Sequence, residues 1–310
     1  MNTANGTKNT MDDIIHVAFV SNQKYFPFVL IAVTSMLHYH RDGKLVIHLI
    51  HPDLGDKELS ILRGMQKEHS FDFEAHLLNT SKFAEDFGSS RPILWRLAIP
   101  ELMPDVPRVI YLDCDLVFCD DVAKLWAFDL QGMSLAAVGD RVGRKLTTPG
   151  LAPLKYFNSG VMIWNLEQMR ERNAMAQWQK VFREHNCQLQ FADQTLLNLV
   201  HRDDSLFLPQ NWNLHNSIYR NLPLEGMYTV EETIDAIRNP GIVHFTGHHK
   251  PWIFWKFTHH PYASRFWHFA LQAPIPLGLK VKFFLKRIFF GRLHEPKCKL
   301  PWNASDIKPL

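Results

Sequence analysis

Short apolar runs alternate with helix-patterned stretches through the first third of the chain, and that alternation restricts the fold more than any other feature. Residues 14–20, 45–50, 73–78 and 109–112 read as strands. Residues 27–39 read as a helix, because a proline suits a first helical turn. Residues 56–67 place Leu59, Leu62 and Met65 at helical steps, and 95–102 form a third helical stretch stopped by Pro104. Strands and helices in this order predict βαβ units and an α/β fold with a mostly parallel sheet. Such sheets bind ligands beyond the C-terminal ends of their strands. Asn22 follows the first apolar run and Asp113 the fourth, so the two can share one crevice. Beyond them the pattern predicts a short helix at 121–128, a strand at 135–138 ending at Gly139-Asp140, and a loop at 141–154. A strand preceded by polar residues follows at 156–166, then helices at 167–184 and from Ala192, a loop at 209–213, and a strand entering a turn at 241–252.

The run 109–112 ends in Asp113-Cys114-Asp115. In extended chain the two aspartates point the same way and Cys114 the other. Paired carboxylates repel unless a cation lies between them. Hard divalent ions such as Mn²⁺ or Mg²⁺ take such oxygens together with phosphate oxygens and water. His244, at the end of a later apolar run, can complete such a site. Gly247 lets a backbone approach a phosphate closely, and Lys250 offsets phosphate charge.

The formal net charge of +3 is too small to suggest a nucleic-acid partner. It is unevenly placed: residues 274–310 carry eight Lys/Arg against two acids, or +6, which leaves −3 for residues 1–273. That tail mixes lysines with Phe283, Phe284, Phe289 and Phe290, a cationic amphipathic surface suited to anionic headgroups. The four cysteines form no CxxC pair and fit a reducing compartment. The polar start has no secretory pattern, and no stretch reaches the ~20 apolar residues of a membrane span. The expected organisation is a flexible leader over 1–12, a catalytic domain over 13–273 and a membrane-associating extension over 274–310. The expected location is the cytoplasmic face of an inner membrane.

Six blocks stand in a recognisable order: Val20-Ser21-Asn22-Gln23-Lys24-Tyr25, Trp95-Arg96-Leu97, Tyr111-Leu112-Asp113-Cys114-Asp115, Tyr156-Phe157-Asn158-Ser159-Gly160-Val161, Ala192-Asp193-Gln194, and His244 through Lys250-Pro251-Trp252. In these the chain resembles glycosyltransferase family 8, and within it the bacterial lipopolysaccharide glucosyl- and galactosyltransferases. The resemblance implies a GT-A fold, a UDP-hexose donor (UDP-glucose or UDP-galactose), Mn²⁺ or Mg²⁺, and retention of configuration. It implies that Asp113, Asp115 and His244 bind the metal, and that Asn22 and Tyr25 contact uridine. Arg96 would lie near the diphosphate and the acidic motif, and Gly247 and Lys250 would contact the diphosphate. Asp140, Asn158, Asp193 and Gln194 would line the donor-sugar pocket and carry the catalysis. The family usually has Asp where this chain has Asn22, and an amide can still bond a uracil edge.

The resemblance thus points to a hexosyltransferase that sugars a lipid-linked oligosaccharide acceptor, the lipopolysaccharide core. The basic-aromatic tail favours that acceptor over a protein or polysaccharide primer, and the intact Asp113, Asp115, His244 and Lys250 argue against a non-catalytic nucleotide-sugar-binding protein. Retention by a double displacement would use Asp193 as nucleophile. Same-face attack, with Gln194 steadying a cation-like sugar, is the favoured route, because an amide is a poor nucleophile.

Overall fold

The four early apolar runs all form strands. In the computed structural model, which describes residues 14–152, 155–219, 227–247, 250–253, 260–286 and 288, these are β1 (Ile14–Val20), β2 (Lys44–His51), β3 (Asp72–Leu77) and β4 (Arg108–Leu112). Five more follow: β5 (Leu116–Phe118), β6 (Leu135–Gly139), β7 (Phe157–Asn165), β8 (Ser205–Phe207) and β9 (Ile242–His244). The main sheet runs β3-β2-β1-β4-β7-β6-β8, and β5 pairs with β9 in a small second sheet. All neighbours among β1–β4 are parallel, as is β6 with β8. β7 lies antiparallel between β4 and β6.

Both faces of the sheet are covered at its centre, which explains why β2 is buried at every position after Lys44. One face packs Val17, Phe19, Ile47 and Leu49 against the helices Phe26–Tyr39 and Asp56–Met65. Leu59, Leu62 and Met65 are the buried stripe of the second of these helices, as their spacing predicts. The other face packs Ala18, Ile50, Tyr111 and Trp164 against Trp178 and Phe182 of helix Ala174–Glu184 and Leu196 and Leu197 of helix Ala192–Val200. Side chains of this size contribute roughly 1.5–3 kcal/mol each when fully buried.

Several elements differ from the sequence pattern. The helix expected over 167–184 is two, Leu166–Glu171 and Ala174–Glu184, because Asn173 adopts a left-handed backbone at φ 53°. The stretch at 95–102 is mostly a 3₁₀ turn, Pro92–Ala98, followed by one α-turn, Ile99–Leu102. The loop at 209–213 holds a short 3₁₀ helix, Gln210–Asn213, with Gln210, Trp212 and Asn213 buried. The loop at 141–154 likewise begins with a 3₁₀ segment, Arg141–Lys145. The leader over 1–12 and the part of the tail beyond 288, with Phe289 and Phe290, lie outside the described residues.

Candidate active site

β2 flanks β1 on one side and β4 flanks it on the other, so the strand order reverses between β1 and β4. The chain leaves both strands at the same edge of the sheet, where a crevice opens. Asp113 sits there, its N–H donating to the Gly160 carbonyl of β7 at 2.8 Å. The β5–β9 pairing then delivers a residue from far along the chain. Leu116 is in register with His244, and the Phe245 N–H donates to the Asp115 carbonyl at 2.8 Å. His244 Nε2 thus stands 3.1 Å from Asp115 Oδ1 and 3.6 Å from Asp113 Oδ2.

A second layer sets which His244 nitrogen faces the aspartates. Asn213 donates through Nδ2 to Asn158 Oδ1 at 2.9 Å, so its Oδ1 is left as an acceptor. His244 Nδ1 lies 2.9 Å from that oxygen and must donate to it. That leaves Nε2 as the ring atom facing the two carboxylates. One ligand atom from each of Asp113, Asp115 and His244 falls within 4.8 Å of the others. Two hard oxygens and one imidazole nitrogen form a donor set that suits Mn²⁺.

Arg96, buried in the 3₁₀ turn, joins two acids. It reaches Asp113 Oδ1 at 3.0 Å and Asp193 Oδ2 at 3.2 Å, donates to the Ser159 carbonyl at 2.8 Å, and lies over the Tyr111 ring. Burial opposes its charge, but Asp113 and Asp193 outweigh burial and hold the guanidinium more firmly protonated than usual. Asp193 shows the opposite balance: burial raises its carboxyl above the usual range, and Arg96 only partly offsets this. At Asp115 burial is outweighed by Lys250 and His244, which hold the carboxyl below the usual range. Lys250 contacts Asp115 Oδ2 directly and donates to the Phe245 carbonyl at 2.9 Å.

The remaining polar residues form one network. Asn158 Nδ2 donates to Asp140 Oδ2 and to Gln194 Oε1, each at 3.1 Å, and Gln194 Oε1 also accepts from the Ser159 N–H at 3.2 Å. Phe191 and Ala192 take left-handed backbones, φ 57° and 34°, just before Asp193 and Gln194. Such strain in non-glycine residues clusters at functional sites.

A cavity of about 500 Å³ gathers nine of the expected site residues on its wall: Arg96, Asp113, Asp115, Asp140, Asn158, Asp193, Gln194, His244 and Gly247. Lys250 reaches it through Asp115. Asn22 and Tyr25 are not on that wall. Asn22 Oδ1 accepts from the Tyr25 N–H at 3.1 Å at the entry to helix Phe26–Tyr39, and the Tyr25 ring is 42% exposed. Sequence reasoning missed Asn213, His215, Ser217 and Thr246. The last three also line the cavity, and Ser217 donates to Asp140 Oδ1 at 3.1 Å. They lie in stretches without an apolar period, so only their polar character between two apolar runs could have flagged them. Three buried polar atoms of wall residues have no hydrogen-bond partner among the described residues: Asp193 Oδ1, His215 Nε2 and Thr246 Oγ1.

Comparison with known proteins agrees with this architecture. Residues 16–256 match the family model of glycosyl transferase family 8. General stress protein A of Bacillus subtilis is 27% identical over 273 residues, covering 83% of this chain and 93% of that protein. Lipopolysaccharide 1,2-glucosyltransferase of Escherichia coli K12 is 23% identical over 255 residues, covering 78% and 74%. The crystal structure of the galactosyltransferase LgtC with donor and acceptor sugar analogues superposes with a TM-score of 0.73 at 21% identity, covering 86% of this chain and all of that one, which establishes a shared GT-A fold. The chain belongs to glycosyl transferase family 8 and is a glycosyltransferase.

Proposed function

We propose that this enzyme transfers a hexose, glucose or galactose, from UDP to a hydroxyl of a lipid-borne oligosaccharide of the lipopolysaccharide core, with retention of configuration. The observation that carries the reading is the set of unsatisfied buried atoms, Asp193 Oδ1, His215 Nε2 and Thr246 Oγ1, around a cavity beside a metal-type triad. Buried polar groups are ordinarily paired, and sugar hydroxyls and phosphate oxygens are partners of the right kind. The E. coli relative that acts on lipopolysaccharide supports the acceptor class.

Asp113, Asp115 and His244 would hold Mn²⁺ or Mg²⁺, which when bound supplies positive charge to the departing diphosphate. Arg96 and Lys250 place two protein cations beside the same aspartates, where negative charge on the leaving group develops. Gly247 offers backbone without a side chain at the cavity wall. Tyr25 presents an exposed ring for stacking on the base, next to Asn22. Asp140, Asn158, Asp193 and Gln194 grip the donor sugar. Gln194 is held by three polar partners, Asn158, the Ser159 N–H and Asp140, the last at 3.5 Å, so its amide is oriented before substrate arrives. This preorganised amide suits same-face attack steadied by Gln194.

Helix Leu277–Lys286 supports a membrane-facing extension. Phe283 packs on Phe266 and Trp267, while Leu277, Val281, Phe284 and Leu285 stay exposed alongside Lys282. No helix among the described residues is long and apolar enough to cross a membrane.

The test is a donor screen with purified enzyme, Mn²⁺ and truncated lipopolysaccharide acceptors. Transfer from UDP-glucose or UDP-galactose is expected. Transfer only to a protein or glycan primer would overturn the acceptor assignment, and single-turnover capture of a sugar on Asp193 would overturn the same-face route.

A further inference from the structure

A second cluster of ligand-type side chains lies across the first three strands. His48 pairs in register with Ala18 and Glu74, and Ile50 pairs with His76. By strand alternation His16, His48, Glu74 and His76 therefore share one face of the sheet. His48 Nδ1 is 3.1 Å from His76 Nε2 and 3.2 Å from Glu74 Oε2, and His76 Nε2 is 3.7 Å from the same oxygen. Zinc–nitrogen bonds of about 2.0–2.1 Å in a tetrahedron set donor–donor edges of about 3.3 Å. The three edges of this triangle straddle that value.

We propose that His48, Glu74 and His76 form a Zn²⁺ site, separate from the Asp113–Asp115–His244 triad, with the fourth position left to water. Its two imidazoles and one carboxylate are the borderline donor set that zinc prefers, whereas the triad beside the cavity is richer in hard oxygen. His48 has an outer partner: its Nε2 lies 2.9 Å from His16 Nδ1, the kind of contact that fixes the tautomer of a ligating histidine. The cluster is also reachable. β3 is the edge strand, and the Glu74 side chain is 57% exposed while His48 is fully buried, so an ion enters from the Glu74 side. Once bound, it ties the edge strand β3 to β2. His16 lies six residues before Asn22, roughly 20 Å of extended chain from the crevice end of the sheet.

The test uses full-length protein carrying Asp115→Asn, which disables the triad, stripped with chelator and titrated with Zn²⁺ and with Co²⁺. One equivalent is expected to bind, with the intense visible absorption of four-coordinate Co²⁺ and a rise in Tm. Adding Glu74→Gln, a change at a half-exposed side chain, or His76→Ala weakens binding by at least about tenfold and removes the Tm rise. Circular dichroism of the metal-free variants confirms that they fold. Undiminished binding in both variants, or no binding in the Asp115→Asn protein, would show that the cluster is only a hydrogen-bonded ladder and overturn the proposal.

Discussion

Gly160 lacks a side chain where His244 needs the space. A Cβ there would overlap His244 Cε1, lie 2.7 Å from His244 Nδ1 and sit 3.0 Å from Asp113 Oδ2. Gly160→Ala must displace the imidazole or the carboxylate. Misplacement of about 1 Å at a site costs on the order of 10²-fold in rate. The expected outcome is a comparable loss of transfer and weaker Mn²⁺ activation, with an unchanged circular dichroism spectrum. Near-normal rates would mean that His244 needs no fixed position.

Asp115→Asn leaves a similar shape but removes the charge that holds Lys250 and that faces His244 Nε2. Transfer should fall by about 10²-fold or more even at saturating metal, while the protein still folds. Steady-state rates over a Mn²⁺ series measure this. Recovery at high Mn²⁺ would assign Asp115 to affinity alone.

Asn213→Ala frees His244 Nδ1 and lets the ring choose either tautomer. Loss of such an outer partner costs about 10–100-fold in metal affinity. The Mn²⁺ concentration for half-maximal activity should rise by that factor, with kcat at saturating Mn²⁺ much less affected.

Phe284→Ser with Leu285→Ser removes apolar area from the exposed side of helix Leu277–Lys286 and leaves the docked Phe283 in place. At about 0.8 kcal/mol per buried CH₂, co-sedimentation with anionic vesicles should drop by about tenfold or more, at unchanged Tm. Unchanged co-sedimentation would remove the membrane role from this helix.

Lys286 is 7% exposed, contacts the Ile253 carbonyl, and burial lowers its amine from 10.5 to about 8. Between these values the unfolded chain binds more protons than the folded one, so stability rises with pH. The contribution is fully present above 10.5 and is lost as pH falls through 8. Its slope is at most about 1.4 kcal/mol per pH unit. Urea unfolding at pH 7.5 and 10 should show this rise for the wild type relative to Lys286→Met. Parallel curves would mean an ordinary lysine.

Local pattern carried much of the fold. The apolar runs at 14–20, 45–50, 73–78 and 109–112 marked β1–β4, and the spacing of Leu59, Leu62 and Met65 marked a buried helix stripe. Alternation along an extended strand put Asp113 and Asp115 on one side. These features depend on neighbours within a few residues, which a sequence displays directly. Local signals were weaker where tertiary contacts decide. Asn173 broke a well-patterned helix, and Ser205–Phe207 has too few residues to show a period.

The active site divides in the same way. Its aspartates, His244, Asn158 and the Asp193-Gln194 pair were legible as residue types following apolar runs or opening a helix. That His244 meets Asp115 depends on the register of β5 with β9, a pairing between segments more than a hundred residues apart. That its Nε2 faces the two aspartates depends on Asn213, and that it fits at all depends on the missing side chain of Gly160. Residue identity and strand alternation specified which groups were available and which way each strand presented them. Their distances, their tautomer and the buried atoms left without a partner among the described residues follow from packing between remote segments, which no local period encodes.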